Sequence, residues 1–339
     1  MKFSQETDFA ASQTAPLHVD NQDLSGKTIV ITGGNSGIGL ECARKLATMN
    51  PSKIILASRT MKTAEKAVED IKTEIGFKNV EAWPLDQASF ESVQAFAKKY
   101  NESGLDLDIL LANAGMLPFT RREMDMTSDG HEEVLQTNHL SASLLALSLL
   151  PSIRRTAAKS TPANRPRIVI VASDVHYWAT LRSAGQDGSV IKAMSTPEYY
   201  SDARERYMDT KLLNVFWTQE FAKKMTQSTV EEDHKIVVSN CNPGLVLSTN
   251  SDFMRENLPP HILKYARNMD EGCKTHLFAC IDPSAGTPGE AIFYHNCQPT
   301  ETADITLGAE GDILRKRVWK DTIEVLPTLD QSISEPLGL

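Results

Sequence analysis

Short apolar runs alternate along this chain with longer segments in which apolar residues recur every three or four positions. The runs predict buried strands and the longer segments predict amphipathic helices, an alternation typical of βαβ units in a parallel sheet. Strands are predicted at residues 28–32, 53–57, 80–83, 109–112, 167–172 and 236–241, with 291–294 as a seventh candidate.

Helices are predicted in the gaps between these strands, at 37–49, 62–76, 89–100, 131–149 and 207–225. Pro51, Gly76 and Pro151 are expected to end three of them. Two loops are long: 154–166, expected to be solvated, and 174–206. The pattern predicts an α/β fold, a doubly wound parallel sheet of about seven strands with helices on both faces.

Length and composition agree with one enzyme-sized domain. The chain has 339 residues and 41% hydrophobic content, enough to bury a large core. We expect a single domain at 24–326, preceded by a polar N-terminal extension at 1–23 and followed by a C-terminal tail at 327–339. No internal repeat interrupts it.

Charge, apolar stretches and cysteine usage indicate which partners and which cellular compartment to expect for this protein. The net charge is -9 and the basic residues are scattered, which argues against nucleic acid. The longest apolar stretch, 140–150, is too short for a membrane span, and residues 1–21 lack the apolar segment of a signal peptide. Five cysteines without a C-x-x-C pattern indicate free thiols in a reducing compartment. We therefore expect a soluble, cytoplasmic protein.

A glycine-rich turn directly follows the first predicted strand, in the sequence TGGNSGIG at 32–39. Gly33 allows a tight turn, Gly37 lets backbone amides approach a pyrophosphate, and Gly39 permits close packing of helix on strand. Together with Asn35, Ser36 and Ile38, these residues form a predicted dinucleotide site at the start of a helix.

A tyrosine and a lysine supply candidate acid-base chemistry. Tyr207 and Lys211 are four residues apart in one predicted helix and share a face. A tyrosine with a pKa near 10 becomes useful at neutral pH when a nearby positive charge stabilises its phenolate. Ser173, at the carboxyl end of a central strand, is placed to hydrogen-bond a substrate oxygen.

Three motifs in this order resemble the short-chain dehydrogenase/reductase family: the T-G-x-x-x-G-x-G turn, LANAG at 111–115, and Tyr207-x-x-x-Lys211. The resemblance covers roughly 24–326 and implies a Rossmann-type domain; the long loop at 174–206 is more like the retinol-dehydrogenase branch. It also implies a catalytic tetrad of Asn138, Ser173, Tyr207 and Lys211, in which Asn138 orders a proton-relay water. Lys211 would bond the nicotinamide ribose, hydride would pass between nicotinamide and substrate carbon, and Tyr207 would exchange the proton.

The end of the second strand indicates the choice of cofactor. An NAD site normally has an acidic residue there, whereas this chain has Ser58 and Arg59 and no carboxylate. A guanidinium can pair with a ribose 2′-phosphate, so NADP(H) is predicted. Asp86 matches the family's adenine-contacting aspartate and also fits a plain helix cap for the following segment, and the two roles are compatible. The resemblance adds further cofactor contacts at Asn113, Ala114, Gly115, Pro243, Gly244, Val246 and Thr249.

The substrate pocket is expected to be apolar. The segment 245–268 resembles the family's mobile substrate lobe and contains Phe253 and Met254. Together with Tyr177, Trp178, Tyr199 and Tyr200 of the long loop it implies an apolar pocket. His176 is a pocket candidate, although an exposed loop histidine explains it better. Cys273, His276 and Cys280 share a helical face without a fourth ligand, so we expect packing and no metal.

These features predict an NADP(H)-dependent oxidoreductase that interconverts a carbonyl and a secondary alcohol on a bulky lipophilic molecule such as a steroid, retinoid, terpenoid or polyketide. Two alternatives remain open: a non-redox enzyme of the same family, such as a dehydratase, isomerase or cyclase, and a cofactor-binding sensor or scaffold. The resemblance further implies a homodimer formed through helices 131–149 and 207–225. Packing in the core of the domain explains the apolar residues of these helices equally well.

Overall fold

The computed structural model describes residues 3–4, 8–118, 121–185, 187–247 and 252–339, without the side chains of Asp252 and Phe253. Within this part of the chain lies a sheet of eight strands in the order β3-β2-β1-β4-β5-β6-β7-β8. All neighbours are parallel except the last pair. The strands are β1 Thr28–Thr32, β2 Lys53–Ser58, β3 Val80–Pro84, β4 Ile109–Ala112, β5 Arg167–Val171, β6 Val237–Asn242, β7 Ile292–His295 and β8 Gln298–Thr300.

The eighth strand is the one that the apolar pattern misses. β8 has three residues, QPT, and none of them is buried. It is joined to β7 by Asn296 and Cys297, both with positive φ (55° and 57°), as a two-residue hairpin turn requires. Asparagine is common in such a turn but cysteine is not, so little in the sequence indicates the hairpin.

Helices cover both faces of the sheet. The first half of the chain contributes α1 Asp8–Thr14, α2 Gly37–Ala47, α3 Met61–Glu74, α4 Phe90–Glu102, α5 Glu133–Leu135, α6 Ser141–Ser148 and α7 Leu150–Lys159. The second half contributes α8 Val190–Met194, α9 Ala203–Gln227, α10 Asp252–Asn257, α11 Pro260–Leu263, α12 Met269–Ile281, α13 Gly308–Val325 and α14 Gln331–Leu337.

Two predicted boundaries close to Pro151, the end of a helix and the start of a loop, are wrong. Pro151 does not end the helical segment: it lies in the first turn of α7, where proline is tolerated because the N–H it lacks has no helical partner there. The loop expected at 154–166 therefore begins as helix. Its Arg154 is not simply solvated, since Nε and Nη2 donate to the buried Asp233 carboxylate at 2.7 and 2.8 Å.

The core consists of two apolar layers, one on each face of the sheet. One layer joins the sheet to α2 and α12, and the other joins it to α4, α6 and α9. All five residues of β1 are buried, and each fully buried isoleucine or leucine in such a layer contributes about 1.5–3 kcal/mol relative to exposure. The chain crosses over between β1 and β4, so a crevice opens at the carboxyl ends of these strands.

The helices predicted to form a dimer interface pack within the chain. Seven of the eight residues of α6 are buried. Trp217 and Phe221 of α9 contact Trp319 of α13, with ring centroids 5.6 and 6.0 Å apart. The apolar residues of α6 and much of α9 thus serve the core of the domain.

Both termini also pack on the domain. Helix α1, in the segment expected to be a polar extension, buries Phe9, Ser12 and Gln13. Helix α14, in the expected tail, buries Ile333 and Leu337 against α9. Both terminal segments therefore contribute buried residues to the domain. No helix of the described residues combines the length and apolarity needed to cross a membrane.

Candidate active site

The glycine turn has the geometry that its sequence predicts. Gly33 has a φ of +65°, and a Cβ there would lie 3.2 Å from Cα and from Cβ of Ala114. At Gly39 a Cβ would lie 2.5 Å from the Gly33 carbonyl oxygen, so only glycine allows this approach of helix to turn. Gly37 has a φ of +56° with open space where a Cβ would be. The turn therefore presents bare backbone to the crevice.

A cavity of about 520 Å³ lies over this turn, at the carboxyl ends of the strands. Its lining contains most of the predicted cofactor contacts and six residues that the sequence analysis did not single out: Ala57, Thr60, Leu85, Gln87, Met116 and Thr137. All of these except Thr137 lie at the carboxyl end of a strand or within four residues after it, a position that could have identified them. The full lining is Gly33, Asn35, Ser36, Gly37, Ile38, Gly39, Ala57, Ser58, Arg59, Thr60, Leu85, Asp86, Gln87, Asn113, Ala114, Gly115, Met116, Thr137, Val246 and Met254.

The cavity fits a dinucleotide. Helix α2 begins at Gly37, and the side chain of its N-cap residue, Ser36, forms no capping hydrogen bond. The amides of the first helical turn therefore lack a side-chain cap and face the cavity, where an anionic pyrophosphate would satisfy them. Asn35 is held beside the turn by a hydrogen bond from Nδ2 to Thr63 Oγ1 at 2.9 Å.

The end of β2 separates a buried residue from an exposed one. Ser58 is buried, and its hydroxyl accepts a weak hydrogen bond from the Thr60 amide at 3.3 Å. Arg59 is exposed and lines the cavity. Asp86 also lines it, and its Oδ1 accepts from the Ala88 amide at 2.9 Å. The plain-cap interpretation of Asp86 is wrong, because Ser89 is the residue that caps α4.

The segment after β4 is fastened to β1. Asn113 donates from Nδ2 to the Thr32 carbonyl oxygen at 2.9 Å, and the Ala114 amide donates to Thr32 Oγ1 at 2.8 Å. Thr32, the first residue of the glycine motif, thus ties the turn to the LANAG segment. Gly115 follows, and a Cβ there would lie 3.3 Å from Asn138 Oδ1 and 3.6 Å from Lys211 Nζ.

Asn138 lies in a π-helical turn, Gln136–Leu140, a distortion frequent at functional sites. Its Oδ1 accepts from the Met116 amide at 2.7 Å and its Nδ2 donates to the Met116 carbonyl oxygen at 2.9 Å. The main-chain oxygen of Asn138 accepts from Asn214 Nδ2 at 3.0 Å. Asn138 therefore fixes the floor of the cavity next to Gly115, and its role in ordering a relay water stays a prediction.

The structure brings Ser173, Tyr207 and Lys211 together. Lys211 is buried, its Nζ donates to the Val171 carbonyl oxygen at 2.8 Å, and it lies 5.4 Å from the centroid of the Tyr207 ring. Burial lowers the pKa of the Lys211 ammonium to about 8. Burial, and then the charge of Asp174, raises the pKa of the Tyr207 phenol to about 12, which a hydrogen bond with Ser173 opposes. The phenol is thus protonated at neutral pH.

Asp174 is a neighbour of this group that sequence reasoning missed. It directly follows Ser173 and is buried, and its Oδ1 accepts from the Ser173 hydroxyl at 3.2 Å. Burial raises the pKa of the Asp174 carboxyl, and hydrogen bonds from Ser173 and Asn242 and the charge of Arg267 oppose the rise. An acidic residue next to the predicted serine was the available signal.

The NADP(H)-dependent reaction predicted from the sequence should slow above about pH 8. Since the pKa of Lys211 is lowered, the lysine is charged below that pH and neutral above it, and a neutral lysine no longer favours charge on Tyr207. The value of kcat/KM for NADPH, measured between pH 6 and pH 10, tests this because it reports groups of the free enzyme. Lys211→Arg should move the decline to higher pH, and a flat parental profile through pH 10 would contradict the assignment.

The turn after β6 contributes less to the cavity than predicted. Val246 lines it, but Pro243 and Gly244 do not. Gly244, with a φ of +77°, is covered: a Cβ there would lie 2.4 Å from Gln13 Oε1 and 2.7 Å from Arg267 Nη1. Thr249 lies outside the described residues.

The predicted pocket residues of the long loop point elsewhere. His176 is buried, not exposed: its Nδ1 donates to the Ser173 carbonyl oxygen at 2.6 Å and its Nε2 accepts from the Ala303 amide at 3.2 Å. Burial lowers its pKa to about 4, so it is neutral and fully bonded. The Tyr177 hydroxyl donates to the Glu301 carbonyl oxygen, and Trp178 Nε1 donates to the Phe3 carbonyl oxygen at 2.8 Å.

These contacts direct the three side chains of the loop toward the N-terminal segment and the region after β8. Of the lobe residues, Met254 lines the cavity, whereas the side chain of Phe253 lies outside the described part of the chain. The other candidates of the sequence analysis, Cys273, His276 and Cys280, are buried in α12. Burial lowers the pKa of His276 to about 3. No cluster among the described residues has the composition of a metal site.

Several known proteins are similar to this chain in sequence or in fold. A family model described as short chain dehydrogenase matches residues 27–180. A short chain dehydrogenase from Arthrobotrys oligospora is 32% identical over 334 residues, covering 95% of this chain and 98% of that protein. The short chain dehydrogenase/reductase dmxR8 from Cryptosporiopsis sp. is 32% identical over 322 residues, covering 92% of this chain and 94% of that protein.

The chain therefore belongs to the short-chain dehydrogenase/reductase family. Among solved structures, L-sorbose reductase from Gluconobacter frateurii in complex with NADPH and L-sorbose has a TM-score of 0.59 at 21% identity, covering 82% of this chain and 98% of that chain. This likeness confirms the Rossmann-type fold. Placement in the retinol-dehydrogenase branch stays a prediction.

Proposed function

We propose that this protein is an NADP(H)-dependent reductase that converts a lipophilic ketone or aldehyde to an alcohol by hydride transfer. The observation that carries the proposal is the proximity of Ser173, Tyr207 and Lys211 to a glycine-lined cavity of dinucleotide size. A sensor or scaffold has no use for a protonated tyrosine beside a buried lysine. A non-redox enzyme could use both, so the proposal depends on measured oxidation of NADPH.

The choice of NADP(H) is supported by charge at the end of β2. Arg59 is exposed at the rim of the cavity, and its guanidinium suits the 2′-phosphate of the adenosine ribose. The segment from Ala57 to Thr60 contains no carboxylate that would bond the free ribose hydroxyls of NAD. The NADPH complex of L-sorbose reductase, a protein of the same fold, agrees with this choice.

The mechanism assigns one task to each side chain. Bound NADPH would supply the hydride. The Ser173 hydroxyl would hydrogen-bond the substrate oxygen, and Tyr207 would give its phenolic proton to that oxygen as negative charge develops on it. Lys211 would stabilise the resulting phenolate, and Asn138 would hold the adjoining Met116 backbone in place. The raised pKa of Tyr207 keeps the phenol protonated at neutral pH, as a proton donor requires.

Apolar side chains in the lining suggest an apolar substrate. Met116, Val246 and Met254 line the cavity, and none of them carries a charge. Flexible thioethers adapt to irregular apolar shapes, which suits a bulky ring system better than a sugar. We therefore extend the proposal to a lipophilic carbonyl of the steroid, retinoid, terpenoid or polyketide kind.

A screen of carbonyl compounds tests the proposed function. The purified chain is mixed with NADPH and with lipophilic ketones, aldehydes and, for comparison, keto sugars, and the loss of NADPH absorbance is followed. We expect oxidation that depends on the carbonyl compound, with one alcohol formed for each NADPH consumed. Conversion of a compound without consumption of NADPH would favour the dehydratase, isomerase or cyclase alternative.

We expect Met254→Ser to raise the KM for lipophilic ketones roughly tenfold, because the substitution removes an apolar contact and leaves a polar hydroxyl facing the substrate. NADPH affinity should change little. Met126→Ser is the matched control, since Met126 is 46% exposed and lies outside the cavity lining. Equal KM values for the parent and the Met254 variant would place the substrate elsewhere.

A further inference from the structure

The N-terminal helix α1 reaches the carboxyl edge of the sheet beside the turn that follows β6. The Ser12 carbonyl oxygen accepts hydrogen bonds from Arg267 Nη2 at 2.8 Å and from Asn296 Nδ2 at 2.9 Å, and the Ser12 hydroxyl bonds His295 Nε2. Phe3 stacks on Tyr177 with ring centroids 5.1 Å apart. Much of this docking is by hydrogen bonds, which explains why a polar sequence packs so closely.

Gln13 makes the most specific contact of this helix. It is 5% exposed, and its side-chain Oε1 accepts from the Leu245 amide at 3.1 Å. Its Nε2 donates to the carbonyl oxygens of Leu245 at 3.0 Å and of Tyr265 at 3.2 Å. Because one amide group both accepts and donates, Gln13 holds both backbone polar groups of Leu245 and joins the two ends of the lobe 245–268.

Glycine at position 244 leaves the space that the Gln13 amide group occupies. A side chain at Gly244 would collide with Gln13 Oε1 and with Arg267 Nη1, at 2.4 and 2.7 Å from its Cβ. Arg267 also donates from Nη1 to the Pro243 carbonyl oxygen at 2.8 Å. The glycine thus serves a second purpose besides its positive φ, since it admits Gln13 and Arg267 over the turn.

The next residue along the chain connects Gln13 to the cavity. Val246 pairs with Arg267 in an isolated β-bridge: the Leu247 amide donates to the Arg267 carbonyl oxygen at 3.0 Å and the Arg267 amide donates to the Leu245 carbonyl oxygen at 2.8 Å. Val246 is 8% exposed and lines the cavity. A displacement of the Leu245 backbone would therefore also displace Val246, the next residue in the chain.

We propose that Gln13 is a positioning residue, which clamps the backbone of Leu245 and so holds Val246 against the nicotinamide end of the cofactor. The inference rests on the proposed function, because it takes the cavity to be the NADP(H) site. It assigns a role to an N-terminal segment that lies outside every family motif in this chain. Gln13 touches neither substrate nor cofactor in this proposal and acts only through the turn.

Two ligands of different length test the clamp. Adenosine 2′,5′-bisphosphate occupies only the adenosine end, beside Arg59, whereas NADPH also needs the nicotinamide end. Gln13→Met keeps the side-chain volume and removes all three hydrogen bonds. We expect the Kd of NADPH to rise about three- to tenfold, because the hydrogen bonds that order the turn are lost. The Kd of the bisphosphate should stay within about twofold of the parent value. The nicotinamide emission of bound NADPH should shift toward that of the free cofactor.

Thr14→Ala is the matched control, because among the described residues the Thr14 hydroxyl bonds only the carbonyl oxygens of Ala10 and Ala11 in its own helix. Parental NADPH affinity and emission in Gln13→Met would overturn the proposal, as would an equal loss of affinity for both ligands. If Gln13→Met does not fold, Gln13→Asn, which keeps the amide group but shortens the side chain, is judged by the same criteria.

Hydrogen exchange separates this proposal from the proposed function. The Leu247 amide should exchange faster in the Gln13 variant, while amides of β5 and β6 keep parental protection. If the parent binds neither ligand, the proposed function fails and exchange alone decides the inference. Faster exchange at Leu247 then supports the clamp, and unchanged exchange removes it.

Discussion

Replacing Tyr207 by Phe should lower the turnover number about 10²- to 10⁴-fold while NADPH binding stays nearly intact. The substitution deletes the phenolic oxygen and with it the proton that the substrate oxygen must receive, but leaves the ring and its contact with Lys211 in place. Steady-state kinetics on a substrate found in the carbonyl screen, with NADPH titrated by its fluorescence, measures both quantities. Lys211→Ala should impair turnover and NADPH binding together.

A second tyrosine provides the control for this experiment. The Tyr200 hydroxyl donates to the Glu123 carbonyl oxygen at 3.0 Å, on an exposed part of the loop, so Tyr200→Phe removes the same atom away from the tetrad. Its turnover should match that of the parent. A Tyr207→Phe enzyme with near-parental turnover would require another proton donor. His176 is a poor one, since both its ring nitrogens are bonded and burial keeps it neutral.

Arg59→Asp should reverse the cofactor preference. We expect the parent to bind NADPH at least about tenfold more tightly than NADH, because a guanidinium gains a charge-assisted hydrogen bond with the 2′-phosphate. An aspartate at this position repels the phosphate and accepts hydrogen bonds from the free ribose hydroxyls of NADH. Fluorescence titration of both cofactors against both proteins gives the four dissociation constants.

The control for this charge change is Arg44→Asp. Arg44 lies on α2, where it forms an ion pair with Glu74 at 2.7 Å, and it does not line the cavity. It changes the net charge by the same amount as Arg59→Asp, so a general electrostatic effect on an anionic cofactor would appear in both variants. Equal affinity of the parent for NADPH and NADH would remove the argument from Arg59.

The local parts of the site could be predicted from the sequence because their chemistry depends on neighbours in the chain. Gly33, Gly37 and Gly39 are required by the backbone of one tight turn, and the absence of an acid beside Arg59 can be read at the end of one strand. Tyr207 and Lys211 share a helical face by spacing alone. The structure places all of these residues at or beside the cavity.

Predictions that depended on the direction of a loop side chain were less successful. His176 was expected to be exposed or to face substrate, but it is enclosed between Ser173 and Ala303. Sequence spacing gives no information on which way a loop turns, since loops lack the fixed periodicity of helices and strands. Pro151 was misread for a related reason, because proline ends a helix or begins one depending on what precedes it.

The sequence by itself determined the βαβ order, the glycine turn, the helical spacing of Tyr207 and Lys211, and the family, since periodicity and short motifs encode all four. Only the tertiary structure decided how distant segments meet. It brings Asp174 beside Tyr207, covers α9 with α13, and joins Gln13 to Leu245 across more than two hundred residues of chain. Such contacts depend on a few hydrogen bonds and buried faces in three dimensions, and they leave no periodic trace in the order of residues.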